Sequence, residues 1–389
     1  MSEAELLEEV DKERGFLPAR NPLTEFDTDH HRPAVARYLR HLDQLGTELP
    51  DLVESDNVRQ PLRSIETPPA GLVSELNDRE IHRLCQLSGF FASAYVNHDL
   101  PDGQSISTLP AGIAVPLYET SMEIGRQPIL SYDLLCLHNF QLKDPDGEIT
   151  LDNLDVVQRF THYDDERWFV IVHVAIEAAA APAISACPVA QQAIRDDDPQ
   201  QLQDALETIA ESLSEQTKIM QRMTEGNDTE VFANEFRPYY DGFDDIVYEG
   251  VDELEGQPQS FRGGSGAQSS LLPSLDATLG VEHEATEMTE KLGDMRSYMP
   301  PLHRTTIEQL DNGPSISEYV TEQGSDSLRS TYNNCIAELE QFRRTHFKQV
   351  IQYIREVTGE TEGTGGTNYM PYLRKLEQET KLSHVGEKP

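Results

Sequence analysis

Positively charged side chains are scarce in this 389-residue chain: 31 Lys and Arg stand against 69 Asp and Glu, a formal net charge of −38. Such a field repels nucleic acid and anionic membrane surfaces, so neither is expected as a partner. Lysine is the scarcer of the two cations, and the acids are spread along the chain rather than gathered in a tail. That pattern reads as an ordinary acidic enzyme or as adaptation to molar cytoplasmic salt; the second is expected, because unscreened acids strain a compact fold by repelling one another. Cysteine is sparse as well. Cys85, Cys136, Cys187 and Cys335 are far apart and form no CxxC pair, so they offer no zinc site. Lying among apolar residues, they read as small core fillers in a reducing compartment. There is no uninterrupted apolar run of membrane-spanning length. The most apolar stretch, Trp168 to Val189, contains His173, Glu177 and Pro182, which suits a helix buried in a protein core. The N-terminal MSEAELLEEVDKERG is acidic and holds no apolar run, so a cytoplasmic location is expected.

Internal repeats and strand-like alternation are also lacking, and helical spacing dominates. Apolar residues recur at three- and four-residue intervals in 34–46 and 78–96, the second preceded by Asn77 as an N-cap. Further helices are expected over 168–186, 199–224, 270–280 and 325–357. LPDG at 100–103 and KDPDGE at 143–148 punctuate the pattern. The second marks the expected division into a small helical domain, 1–150, and a larger one, 151–389. Residues 255–270 and TGETEGTGGT at 358–367 read as loops.

Histidine and arginine supply the candidate chemistry. Tyr332, Cys335, Ile336, Leu339, Phe342, His346, Val350, Tyr353, Ile354 and Val357 make one apolar helical stripe with His346 in its middle. Two readings stand at this point: a core histidine bonded to a carbonyl, or an axial ligand to a haem lying against the stripe. His173 and Glu177, one turn apart, share a helix face. They are a buried polar pair or part of a metal site, although no third ligand lies nearby. Arg237, in the aromatic FANEFRPYYDGF, forms a structural ion pair or clamps a substrate carboxylate. The Gly-rich RGGSGAQSS and GTGGT follow no apolar strand and lack a P-loop lysine. They read as mobile loops that bring bare backbone to a ligand.

Together these segments resemble the indoleamine 2,3-dioxygenase family. FRGGSGAQSSLLPSLDATLG (261–280), DMRSYMPPLHR (294–304), RRTHFKQVIQYI (343–354) and GTGGT (363–367) carry the likeness. GFLPARNPL, LPAGIAVPLYE and DGFDDIVYEG add weaker matches in the same order. The resemblance implies an all-α fold of two helical domains, with haem b between helices of the larger one and its iron bound by His346. It implies that Tyr132, Phe169 and Phe232 line an indole pocket, and that Gly264, Ser265 and Gly266 pass close to substrate and haem edge. Arg237 would hold the substrate carboxylate. Thr364, Gly365 and Gly366 would close over the amino-acid end, and an ion pair of Asp276 with Arg343 would brace the proximal helix. His173 stands where animal members have a serine and where the related tryptophan 2,3-dioxygenases have a histidine facing the indole N–H. Ala233 replaces a phenylalanine and Gly266 an alanine.

The implied activity is insertion of both atoms of O₂ across the indole C2–C3 bond of L-tryptophan, giving N-formylkynurenine, with ferrous haem maintained by an unidentified electron donor. Two alternatives remain within the resemblance: a haem enzyme of the same fold acting on another indole, and a non-enzymatic haem-binding or sensing protein. A third, a metal hydrolase at His173 and Glu177, predicts no haem absorption. The charge pattern makes a prediction of its own. Screening shortens from about 10 Å in 0.1 M salt to about 3 Å in 1 M, so the melting temperature is expected to climb steeply from dilute buffer to molar KCl. A melting curve indifferent to salt would reject the adaptation.

Overall fold

The computed structural model describes residues 13–55, 57–99, 105–284, 293–323, 325–361, 363 and 369–386. Most of the acidic N-terminal segment, the LPDG turn and most of the GTGGT segment lie outside the described residues.

The fold is all-α. Its described principal helices are α1 (Pro33–Glu54), α2 (Asp78–Asn97), α3 (Ala111–Glu123), α4 (Asp164–Arg195), α5 (Pro199–Gln221), α6 (Leu271–Leu279), α7 (Pro301–Asp311), α8 (Ile316–Gln323), α9 (Asp326–Val350) and α10 (Tyr369–Leu382). Local chemistry sets several boundaries. Asn77 caps α2 in a reciprocal box with Glu80. Asp198 accepts from the amides of Gln200 and Gln201, with Pro199 preset for the first turn of α5. The Ser325 hydroxyl accepts from Leu328 N to start α9. Gly280, at φ 72°, ends α6 in the left-handed conformation that a side chain would strain.

α4 organises the larger part of the molecule. It begins on Asp164, Asp165 and Glu166 and ends on Arg195, charges that complement the helix dipole at both ends. It is long and apolar enough to cross a membrane, but 67% of its most apolar window is buried inside the protein. The turn Asp196–Asp198 sends the chain back as α5, which packs along α4 on one side and α9 on the other. α4 and α9 make no extensive contact with each other. The helical spacing read from the sequence holds along α9, where Tyr332, Cys335, Ile336, Leu339 and Phe342 are buried.

Five short strands accompany the helices among the described residues. β1 (Thr108–Leu109) runs parallel to β4 (Phe243–Tyr248), and β5 (Gln259–Phe261) pairs antiparallel to β4 with a register shift between Phe243 and Ile246. β2 (Gln141–Leu142) and β3 (Leu154–Asp155) form a hairpin around the exposed 143–148 turn. The stretch expected as loop, 255–270, thus contributes β5 and a short 3₁₀ turn, Gly266–Gln268. Its pairing partner is 18 residues upstream, Phe243 to Phe261, beyond the reach of local composition. One contiguous apolar core runs from Phe16 to Tyr353.

Among the described residues three π-helical turns interrupt the helical pattern, at Asp133–Leu137, Phe232–Phe236 and Ile351–Arg355. Such one-turn widenings cluster at functional sites because they re-aim the side chains beside them. Here they adjoin Tyr132, Arg237 and the turn after His346.

Candidate active site

α9 presents His346 and α4 presents His173. Burial, with His173 nearby, pushes His346 down to about 4, so its imidazole is neutral with a lone pair available at physiological pH. Burial lowers His173 too. A ring nitrogen of His173, Nδ1, lies 2.8 Å from the Phe169 carbonyl. A carbonyl only accepts, so Nδ1 carries the proton and Nε2 keeps the lone pair. His346 makes no hydrogen bond among the described residues. Both residues are nevertheless only partly buried.

An aromatic wall surrounds them. Phe169 lies 4.4 Å from the His173 ring, 5.2 Å from Phe232, 6.0 Å from Phe236 and 5.7 Å from Tyr240. Tyr353 meets Phe232 edge-on at 5.6 Å, and Tyr132 meets His173 edge-on at 6.0 Å. Tyr132, Phe169 and Phe232, expected in the pocket, are therefore gathered. Phe236, Tyr240 and Tyr353 join them. Their signal was the aromatic density of FANEFRPYY and the apolar stripe of α9.

The glycine-rich loop is fastened to this wall by Gln268. Its side-chain oxygen accepts from the Tyr132 amide at 2.9 Å, and its side-chain nitrogen donates to the Gly263 carbonyl at 2.9 Å. A Cβ on Gly263 would sit 2.0 Å from the Tyr240 carbonyl, so only glycine permits this approach. Gly264 follows against Leu130. Ser265 accepts from Ala267 N at 3.3 Å, leaving its hydroxyl proton free to donate elsewhere. A side chain on Gly266 would meet nothing within 4 Å. Ala233 is buried within the π turn that carries Phe232 and Phe236.

Glu177 turns away from His173. Its Oε1 accepts from the Tyr132 hydroxyl at 3.0 Å and from Ser269 at 2.7 Å. Burial raises its carboxyl, and the two hydroxyl hydrogen bonds oppose that. The metal pair that the His173–Glu177 spacing allowed does not form part of any ligand cluster among the described residues.

Arg237 is 6% exposed, yet its Nη1 lies 2.9 Å from Glu360 Oε2, on a side chain 52% exposed. The buried guanidinium therefore does hold a carboxylate, at the edge of the aromatic wall. Glu360 was not singled out in the sequence, where 123 residues separate the partners. It stands four residues before Thr364. Thr364, Gly365 and Gly366 lie outside the described residues.

Behind His346, Arg343 reaches Asp276 on α6 at 2.5 Å, and Asp276 also receives His283 at 3.1 Å. His283 contacts Glu379 of α10 at 2.7 Å, and Arg343 bonds Thr380. Burial pushes Asp276 upward, but Arg343 and His283 outweigh it and hold the carboxyl below its ordinary 3.8. Burial pushes His283 down, but Asp276 and Glu379 outweigh it and raise it above 6.5. This network ties α9 to α6 and α10 one turn before His346.

A haem fits these residues. A neutral imidazole with no hydrogen-bond partner among the described residues offers its lone pair, a second neutral imidazole lies near it, and aromatic side chains flank the second. Fold and site together describe a helical protein whose two neutral imidazoles and aromatic wall suit a haem. Comparison with known proteins makes the class specific. A family model described as indoleamine 2,3-dioxygenase matches residues 8–357. The chain is 34% identical to "Indoleamine 2,3-dioxygenase 1" of Rattus norvegicus, covering 97% of this chain and 95% of that protein. It is 34% identical to the Mus musculus protein of the same name, over 96% and 93%. It is 29% identical to "Indoleamine 2,3-dioxygenase" of Saccharomyces cerevisiae, over 95% and 91%. The chain belongs to the indoleamine 2,3-dioxygenase family and is a haem-dependent dioxygenase.

The bracing network has a pH signature. Raised above its unfolded value, His283 contributes stability that is fully present below pH 6.5 and lost as pH rises through its folded pKa. Held below its unfolded value, Asp276 contributes stability present above 3.8 and lost as pH falls further. His283→Gln is therefore expected to destabilise most between these values, by about 1.5–3 kcal/mol for a charged hydrogen bond, and progressively less at alkaline pH. Denaturant titrations of both proteins from pH 5 to 9 measure this. A stability gap constant across that range would show that His283 is not charged in the fold.

Proposed function

We propose that the protein is a tryptophan-cleaving dioxygenase that inserts both atoms of O₂ across the indole C2–C3 bond of L-tryptophan to give N-formylkynurenine. The haem is haem b, held by His346 and ferrous in the working enzyme, with the electron supplied by a separate donor. When bound, it supplies the iron at which dioxygen is activated. The names of the relatives support indoleamines as the substrate class. The observation that carries the reading is the buried Arg237 beside the aromatic wall, already holding a carboxylate. An aromatic amino acid brings the two groups that such a site complements.

The chain's own residues bind and orient. Phe169, Phe232, Phe236 and Tyr240 hold the indole ring by area and offset stacking. The Arg237 fork takes the substrate carboxylate. The Nε2 lone pair of His173 accepts the indole N–H, its tautomer fixed by the Phe169 carbonyl. Gln268 holds the Gly263–Ser265 backbone against Tyr132, setting the floor of the pocket. Thr364, Gly365 and Gly366, which lie outside the described residues, are the segment that the family resemblance would assign to the amino-acid end. Fixing the ring in this way removes orientational freedom from the reaction, worth several kcal/mol of the barrier. The reading also carries the division into a smaller part, 1–150, and a larger haem-binding part, 151–389. Four free, buried thiols suit a reducing cytoplasm. A second reading, another indole as substrate, is favoured by the small Ala233 and the open Gly266.

Arg237→Leu is expected to raise KM for tryptophan while haem content stays normal. Removing one partner of a desolvated charged pair costs about 2–5 kcal/mol, roughly 30-fold to several thousand-fold. Turnover of tryptamine and indole, which lack the carboxylate, is expected to change little. Near-normal tryptophan kinetics in this variant would move the carboxylate site elsewhere, and an equal loss with all three substrates would make Arg237 structural.

His173 is expected to reject substrates without the indole proton. A site built for a hydrogen bond discriminates strongly against an analogue lacking it, since a buried polar group is left unpaired. 1-Methyltryptophan is thus expected to be a very poor substrate, and His173→Ser to improve it relative to tryptophan. An unchanged ratio of kcat/KM for the two substrates, measured in high salt, would reduce His173 to a packing residue.

A further inference from the structure

Apart from the haem pocket, two histidines and a carboxylate converge at the start of α2. His31 Nε2 lies 2.9 Å from Glu80 Oε1, and His30 Nε2 lies 3.7 Å from the same oxygen. The three donor atoms all fall within 4.8 Å of one another. We propose that His30, His31 and Glu80 form a binding site for one borderline divalent transition-metal ion, of which zinc is the natural probe, with water completing the coordination.

The spacing suits such an ion. Metal–ligand bonds of about 2.0–2.1 Å in tetrahedral geometry place neighbouring donors roughly 3.3 Å apart, between the two distances observed. Imidazole nitrogens select zinc-like ions over magnesium or calcium, which prefer oxygen throughout.

Glu80 is also held from behind, as metal ligands characteristically are. Glu80 Oε2 accepts from the backbone and side-chain nitrogens of Asn77 at 2.9 and 2.8 Å, which turns Oε1 toward the histidines. His30 Nδ1 faces Asp27 Oδ2 at 3.7 Å. The backbone carrying them is turned by His31 N donating to Thr28 O at 3.3 Å. His31 and Glu80 side chains are 3% and 2% exposed, whereas His30 is 56% exposed. The cluster is therefore preformed on its inner side and open to solvent on its outer side.

Glu80 supplies the electrostatic reason. It is a buried carboxylate that no lysine or arginine contacts among the described residues; its partners are Asn77, His30 and His31. A buried carboxylate calls for a cation. A divalent ion meets that requirement, and the surrounding charge of −38 concentrates cations near it. His31 would present Nε2 to the ion in the tautomer protonated at Nδ1. A bound ion would staple the 27–31 turn to the first turn of α2. Asp51, Glu54 and His162 make a second cluster in which His162 Nε2 lies 2.7 Å from Asp51, but all three are exposed, so they serve as the control.

The test is calorimetric titration of zinc chloride into the chelator-washed holoprotein in molar KCl, with metal content read by elemental analysis. One tight equivalent per chain is expected, with a rise in melting temperature on saturation. His30→Ala, at an exposed position that leaves the His31–Glu80 contact in place, is expected to weaken binding about tenfold or more and to abolish the thermal shift, whereas His162→Ala leaves both unchanged. Absence of a zinc-binding heat in the wild-type protein overturns the proposal. So does binding that survives His30→Ala unchanged, or that is lost in His162→Ala instead.

Discussion

The salt-bridged triad of Arg343, Asp276 and His283 fixes where the reactive end of the molecule can lie. Arg343 sits one turn before His346 on α9, and its guanidinium is almost fully enclosed. An unpaired charge there would cost several kcal/mol, so the fold is committed to bringing α6 against α9 at that height. Once α6 is docked, the loop that precedes it must run past Tyr132, where Gln268 fastens it. α5 packs along both α4 and α9, the helices that carry His173 and His346. The imidazole of His346 is neutral because it is buried among apolar groups, and it is buried there because the ion cluster behind it holds its helix in place.

Much of this was legible in the sequence wherever the information is local and periodic. The α9 stripe, the Asn77 cap and the buried character of α4 follow from spacing and side-chain type alone. The chemistry was legible only in part. Spacing left His346 undecided between core residue and ligand; the structure adds that its ring meets no hydrogen-bond partner among the described residues while an ordinary core histidine would have one. Glu360, Gln268 and His283 escaped the reading because each acts on a partner distant in sequence, and nothing in ETEG or GAQSS marks a particular glutamate or glutamine. The two-residue strand β1 escaped for the same reason: its pairing with β4 is 139 positions away, Thr108 to Val247, and two residues cannot display alternation. π-Helical turns leave no trace in composition, since the residues within them are ordinary helix formers.

The scarcity of cations acquires a structural meaning in the same light. Several of the arginines stand inside the protein rather than on its surface: Arg83 with Asp43, Arg126 with Asp133, Arg237 with Glu360, Arg343 with Asp276. Guanidinium groups suit buried carboxylates better than lysine does, because the delocalised charge is more weakly hydrated and always present. With those arginines withdrawn inside, the solvent-facing shell is richer in acid than the composition alone suggests.

The three π turns carry a consequence for how such a chain can change length. Each holds one residue more than a regular helical turn would, and each lies beside a part of the pocket. Deleting a single residue from Ile351–Arg355 would restore ordinary helical winding and rotate everything beyond it by about 100°. Glu360 would then leave α9 about a quarter turn round the helix axis from where it now stands. Residue count at these three positions is thus a form of molecular indexing, in which one codon resets the direction in which the chain meets the pocket.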